Sequence, residues 1–289
     1  MKIQKNASDS PQIGHPSITQ TQYQNLSDVE QHPRYPAGHF ALRKVLRSLQ
    51  EEGAQRLLEI GVGHGRAAAT LTSAGLDFFG IDNDVNMVEE SSRVMSDLGL
   101  PEENISWGDI EDSVSLVEIS RLGPFDALLA MGVLPVIGHE KVGLQNMLSL
   151  VKPGGKVFVE CRNKLFSLVT FNRHTYDFIM DDLLGEVAPS LRDATGSFLQ
   201  TRVDMDSPPK PSGVAAKSHN PLEVTQIFEQ AGFIDIEIKP FHYHAAPPHF
   251  ERELSNAFRT ESIALEDDPS DWRGLFLCSA FLVEARRPG

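Results

Sequence analysis

A strand that runs straight into three alternate glycines constrains this chain more than any other feature: Leu57-Leu58-Glu59-Ile60-Gly61-Val62-Gly63-His64-Gly65-Arg66. Glycine is required where the backbone takes positive φ or approaches a ligand with no Cβ in the way. In an open α/β sheet the first such turn sits at the carboxyl edge of the strands, where adenosine-type cofactors lie. The nicotinamide fingerprint would place its third glycine at position 66, which is Arg66.

The rest of the chain alternates strands with helices. Helical spacing begins near Ala37. Arg56 to Ile60 reads as the first strand, followed by a helix from about Gly65. Asp77 to Ile81 is the second strand, and Asp84 to Leu98 a helix stopped by Gly99. Asn104 to Trp107 and Phe125 to Ala130 are the third and fourth strands. Glu140 to Val151 is a helix that ends at Lys152-Pro153-Gly154-Gly155, and Lys156 to Cys161 is the fifth strand. Short apolar strands between amphipathic helices predict a mostly parallel sheet covered on both faces.

Residues 162–218 interrupt this rhythm. Leu165 to Leu184 looks helical, Met205 to Ser218 reads as loop, and the whole is expected to form a lid or substrate wall. Asn220-Pro221-Leu222-Glu223 carries N-cap, N1 and N3 helix-start signals. Ile234, Ile236 and Ile238 alternate with charges, as on a half-exposed strand near a sheet edge. Gly274 to Val283 is almost continuously apolar and predicts a buried central strand. Four segments follow: a polar tail (1–34), a cofactor-binding core (35–161), an inserted lid (162–218), and a completion of the same sheet (219–289).

Glycines at 61, 63 and 65 with an acid two residues before them resemble motif I of class I S-adenosylmethionine-dependent methyltransferases. The resemblance extends to Asp82 at the end of the second strand, to Gly108-Asp109-Ile110 after the third, and to Val151-Lys152-Pro153-Gly154-Gly155 before the fifth. It is strong over roughly residues 35 to 161 and weaker over 219 to 285. It implies a Rossmann-like seven-stranded α/β sheet whose last strand is antiparallel, with S-adenosylmethionine as cofactor. It also implies roles. Glu59 orients the methionine amino group, Asp82 with Asn83 takes the ribose hydroxyls, Asp109 meets the adenine amino group and Ile110 its ring. Met131 lies beside the methionine part, Gly61, Gly63 and Gly65 form the turn, and Tyr35 is a further contact.

The acceptor is less legible. A sulfonium methyl is already activated, so the protein must align a nucleophile and exclude water. A hydroxyl needs a base, whereas an amine needs only to arrive unprotonated. Ala130-Met131-Gly132-Val133 lacks the Asn-Pro-Pro-Tyr or Asp-Pro-Pro-Tyr signature of enzymes that methylate adenine or amide nitrogens. Candidate bases are His219, favoured because it sits where the insertion rejoins the sheet, His174 and His244, and Arg162, Arg173 or Lys217 could meet an anionic acceptor; the bland alternative is a solvated helix or loop residue, or for His244 a polar pocket wall. His242 and His244 share a strand face and, with His249, raise the question of a metal, but no carboxylate has ligand spacing and no metal is assigned. The stretch from Arg162 to Tyr176, with the His-Tyr-His and Pro-Pro segment, looks like methyltransferases often encoded beside sugar and polysaccharide genes. That resemblance implies a sugar or glycoconjugate acceptor.

The formal charge of the 289-residue chain is −14, which argues against a broad nucleic-acid surface. Cys161 and Cys278, both in apolar contexts, read as buried free thiols. The polar amino terminus and the lack of a long apolar run predict a cytoplasmic protein with no membrane segment. The readings that compete with small-molecule O- or N-methylation are methylation of protein or RNA, a non-catalytic cofactor-binding module, an aminopropyl transferase and a nicotinamide dehydrogenase. No acidic cluster follows the fourth strand to make a polyamine channel. Oligomeric state does not follow from the sequence.

Overall fold

The computed structural model describes residues 37–206, 216–266 and 272–289. The expected tail 1–34 and Tyr35 lie outside the described residues, as does part of the loop expected over Met205 to Ser218. The chain opens with helix α1 (Ala37–Glu52), whose Phe40, Ala41, Val45 and Leu49 are buried at helical spacing. Strand β1 (Arg56–Ile60) follows, then α2 (Ala68–Ser73), β2 (Asp77–Asp82), α3 (Val85–Asp97) and β3 (Ile105–Trp107). Next come α4 (Val117–Leu122), β4 (Phe125–Ala130), α5 (Glu140–Leu150) and β5 (Val151–Arg162). The final part holds α6 (Arg173–Asp177), α7 (Pro189–Gln200), α8 (Val224–Ala231), β6 (Ile234–Tyr243), α9 (Phe250–Glu253), α10 (Ser255–Glu266), α11 (Gly274–Leu277) and β7 (Cys278–Arg286).

The seven strands form one sheet in the order β3-β2-β1-β4-β5-β7-β6. Strands β1 to β5 pair in parallel, and β7 enters antiparallel between β5 and β6. This is the expected mixed sheet with a reversed last strand. Each face carries its own core. One holds Leu58, Ile60, Leu128, Val157 and Val159 under α5 and α8; the other holds Leu57, Leu129, Phe158 and Leu282 under α1 and α2.

Several boundaries differ from the sequence reading, among them the start of the fifth strand, which lies at Val151 rather than Lys156, so that Lys152-Pro153-Gly154-Gly155 falls within it. The helix expected from Gly65 starts at Ala68, because Gly65 has φ +68°, a left-handed conformation that cannot join a right-handed helix. A Cβ there would lie 3.3 Å from Ser91 and Val94 of α3, so the glycine also lets α3 pack closely. Residues 274–277 are a helical turn, and the last strand is Cys278–Arg286. Helix α8 starts at Val224 with Glu223, not Asn220, at its N-cap; Asn220 instead opens the turn before it, accepting Leu222 N–H through Oδ1 and Val224 N–H (2.9 Å) through its carbonyl. Ile234–Tyr243 is the edge strand, as its alternation predicts. Within Leu165 to Leu184 the helical reading resolves into a 3₁₀ segment, α6 and a π-helical turn (Phe178–Leu183). Both cysteines are free and buried. No described helix is long and apolar enough to cross a membrane.

Candidate functional site

The turn after β1 is held from the neighbouring strand. Gly61 and Val62 N–H groups donate to the Ile81 carbonyl at 2.8 and 3.0 Å, and Gly63 N–H donates to Asp82 Oδ2 at 2.8 Å. Gly61 has φ +70°, and a Cβ on it would lie 2.6 Å from Val133 Cγ2. The turn therefore lies directly against the Met131–Val133 segment that leaves β4. Only glycine supplies both the dihedral and the clearance.

Asp82 ends β2 and is buried. Its Oδ1 accepts Asp84 N–H at 2.9 Å, so both oxygens are oriented by backbone donors and each retains accepting capacity. Asn83 is exposed next to it, and its carbonyl is held by Trp107 Nε1 at 3.0 Å. Asp109, half-buried after β3, accepts Glu111 N–H at 2.9 Å through Oδ1. Ile110 is buried and belongs to the core that contains Leu134, Ile137 and Leu144. Met131 is half-buried at the carboxyl end of β4.

Glu59 is the most unusual group of this edge. It is buried on β1, and its Oε2 has no hydrogen-bond partner among the described residues. Burial, with the Asp82 charge adding to it, pushes its carboxyl up to about 8. A buried carboxyl with an orphaned oxygen beside a glycine turn is a site that wants a cation or a donor. The ammonium of a methionine moiety fits that requirement. Asp82 with two accepting oxygens fits a ribose diol, and the Gly61–Gly63 turn leaves room for backbone contact. Glu59, Asp82, Asp109 and Met131 thus stand at the carboxyl ends of neighbouring strands along one edge of the sheet.

The candidate bases do not share one environment. His219 closes the insertion: its N–H donates to the Arg162 carbonyl at 2.7 Å, and its own carbonyl accepts Lys164 N–H at 2.9 Å. Its ring is buried with Nε2 3.4 Å from Glu140 Oε1, too poorly aligned for a hydrogen bond, and Nδ1 has no partner among the described residues. Burial lowers its basicity, and Glu140 opposes that shift. His174 is exposed on α6, and its N–H is capped by Asn172 Oδ1. His244 is buried, with its ring against Phe166 and His242, and Nε2 3.2 Å from Ser279 Oγ. Ser279 Oγ also lies 2.8 Å from His242 Nδ1. Burial drives His242 down to about 4, and burial with the His242 neighbour drives His244 down to about 3. His249 instead packs on Phe250. Among the described residues no group of three His, Cys, Asp or Glu side chains could hold a metal ion.

Of the basic residues that could meet an anion, Lys217 is committed elsewhere: Nζ pairs with Glu140 at 2.9 Å and donates to the Ile137 carbonyl at 2.9 Å. Arg162 and Arg173 are exposed, and Arg173 lies 3.8 Å from Asp177. The sequence reading passed over three acids at this edge. Glu111 accepts Gly138 and His139 N–H groups, which ties the loop after β3 to the loop after β4. Glu140 anchors the insertion through Lys217 and His219. Glu160 sits half-buried near the end of β5. One signal was available for the last of these: a lone carboxylate inside the apolar run Val157 to Cys161.

Comparison with known proteins points to methyltransferases. Residues 58–157 match the family model described as a methyltransferase domain. The chain is 28% identical over 131 residues to a protein-L-isoaspartate O-methyltransferase of Myxococcus xanthus, a match covering 43% of this chain and 57% of that relative. It is 21% identical over 243 residues to a ubiquinone biosynthesis O-methyltransferase of Coxiella burnetii, covering 81% of this chain and 91% of that protein. Among solved structures, an S-adenosylmethionine-dependent methyltransferase from Mesorhizobium loti superposes with a TM-score of 0.50 at 14% identity, covering 86% of this chain and 98% of that one, and shares the fold.

Proposed function

We propose that this chain, an S-adenosylmethionine-dependent methyltransferase of the Rossmann-like class I family, methylates a hydroxyl or amine of a small molecule, with sugars and glycoconjugates among the candidate acceptors. The observation that carries the cofactor half is the buried Glu59 carboxyl, with its Oε2 unpartnered among the described residues, beside Asp82 at the glycine turn. In this reading Glu59 takes the methionine ammonium, Asp82 and Asn83 take the ribose hydroxyls, and Asp109 takes the adenine amino group. Met131 lines the methionine side. The cofactor supplies a methyl group activated by its sulfonium. The protein's own task is to fix the acceptor atom in line and keep water out, which supplies about 7–11 kcal/mol of such a barrier.

For a hydroxyl acceptor we assign proton removal to His219. It sits where the insertion rejoins the sheet, and the Glu140 carboxylate, 3.4 Å from its Nε2, favours the protonated ring that forms on proton removal. His244, lowered to about 3, holds a proton too weakly for this task at neutral pH. His174 is exposed on the insertion and serves better as an acceptor contact. The described parts of the insertion, residues 162–206 and 216–218, form the acceptor wall. An amine acceptor would require none of the three as base.

A small molecule is favoured because the ubiquinone-pathway relative matches most of both chains, whereas the protein-methylating relative matches less than half of this one. The test is transfer of a labelled methyl group from S-adenosylmethionine to a panel of phenols, sugars, amines, peptides and RNA. Labelling of a phenol, sugar or amine is the expected result. Labelling confined to peptide or RNA would overturn the reading.

A further inference from the structure

Side chains alternate along a strand, so residues of one parity share a face. Leu57 on β1, Leu129 on β4 and Phe158 on β5 belong to one core, which puts Glu59, Met131 and Glu160 on that same face. The register pairs Glu59 with Leu129 and Ala130 with Val159. Glu160 therefore comes level with Met131, just past the end of β4. Along this face, from β1 through β4 to β5, Glu59 and Glu160 stand on either side of Met131.

Glu52, Glu140 and Glu284 each have a lysine or arginine within ion-pair distance. Glu160 forms no ion pair among the described residues. The Gly132 N–H lies against its carboxylate, and Arg162, two residues on and exposed, is the positive charge nearest in effect. Burial raises its pKa, and these two neighbours offset the shift only in part. A partly buried carboxylate with no ion-pair partner is stabilised by a cation that arrives beside it. It faces the segment that lines the methionine side of the proposed cofactor site.

We propose that Glu160 is the electrostatic partner of the cofactor's sulfonium, and that it sets the preference for S-adenosylmethionine over the uncharged thioether product. This rests on the cofactor reading above. Glu160 is a specificity-determining residue here. The ammonium is common to cofactor and product, so Glu59 serves both alike. The sulfonium charge is lost on transfer, so Glu160 holds the one and releases the other.

Calorimetric titration of the full chain with S-adenosylmethionine and with S-adenosylhomocysteine tests this without an acceptor. Glu160→Gln is expected to raise Kd for the sulfonium ligand by about tenfold or more, the effect of an opposite charge within a few ångströms. Kd for the thioether should stay within roughly twofold. Glu59→Gln is expected to weaken both ligands equally. Glu160→Asp, which draws the charge back by one methylene, should give an intermediate ratio, and it decides the matter if the Gln variant does not fold. An unchanged ratio in either folded Glu160 variant overturns the proposal. Wild-type protein that binds neither ligand overturns the cofactor reading itself, and with it this inference.

Discussion

Burial of one carboxyl has consequences that can be counted in protons. Glu59, pushed up to about 8, is mostly a neutral acid at pH 7 in the free protein. Pairing with an ammonium requires the carboxylate, so ligand binding must expel that proton. Titration at pH 7 in buffers of different ionisation enthalpy is predicted to show release of most of one proton per ligand bound, and none in Glu59→Gln. The same shift has a sign for stability. Above the ordinary carboxyl value of 4.5 an unfolded chain ionises Glu59 while the folded one keeps it protonated, so stability is lost as pH rises towards about 8. Gly61 and Gly132 provide a paired test at this scale. Both have positive φ, so alanine costs each about 1–2 kcal/mol. At Gly132 the new Cβ meets open space, whereas at Gly61 it strikes Val133. Gly61→Ala is therefore predicted to weaken cofactor binding at least about tenfold beyond Gly132→Ala; equal effects would mean that the contact between the turn and the β4 exit does not shape the site.

Strand β7 is the element that closes the sheet, and one buried acid fastens it. Glu284 accepts Ser48 Oγ and Lys156 Nζ, each at 2.7 Å, and Lys239 Nζ, joining α1, β5 and β6 to the last strand. Burial raises its pKa, but those donors outweigh burial and hold it below the usual value. Its stabilisation is present at neutral pH and lost as pH falls through that lowered value. Glu284→Ala is predicted to cost about 3 kcal/mol, the low end for breaking a buried pair, because Lys156 keeps Glu52 at 2.9 Å. Chemical denaturation checks this, and a loss under about 1 kcal/mol would count against the network. Elements like these show what the sequence makes legible. The strands, α1, α3 and the edge position of β6 follow from periodicity and stop signals, which are local. The start of α2 and the helical turn at Gly274–Leu277 do not, because tertiary contacts fix them: Gly65 against α3, and Gly274 beneath the Tyr243 hydroxyl. The edge proposed here for the cofactor is legible because its residues cluster at and just after strand ends. Glu111, Glu140 and Glu160 are not, because their meaning depends on which loops the fold brings together.

Across the molecule, the residues proposed to hold the cofactor stand at the carboxyl ends of β1 to β5, whereas two buried histidines stand at the far end of the sheet, on and just after β6. His242 and His244, held near 4 and 3 against an ordinary 6.5, stay neutral in the fold while an unfolded chain would take up protons. Stability is full above about pH 6.5 and falls progressively towards pH 4. Thermal unfolding of the His242→Asn/His244→Phe variant is predicted to depend less on pH over that range than wild type. Parallel curves would place the acid sensitivity elsewhere.

The central claim is that the glycine turn with Glu59 and Asp82 is a working S-adenosylmethionine site, and calorimetric titration of the wild-type chain and of Asp82→Ala with that cofactor tests it most directly. The account predicts a one-to-one complex of micromolar affinity in wild type and a loss of at least about tenfold in the variant, with both proteins equally folded. Equal affinity in the two proteins, or no binding by folded wild type, would contradict it.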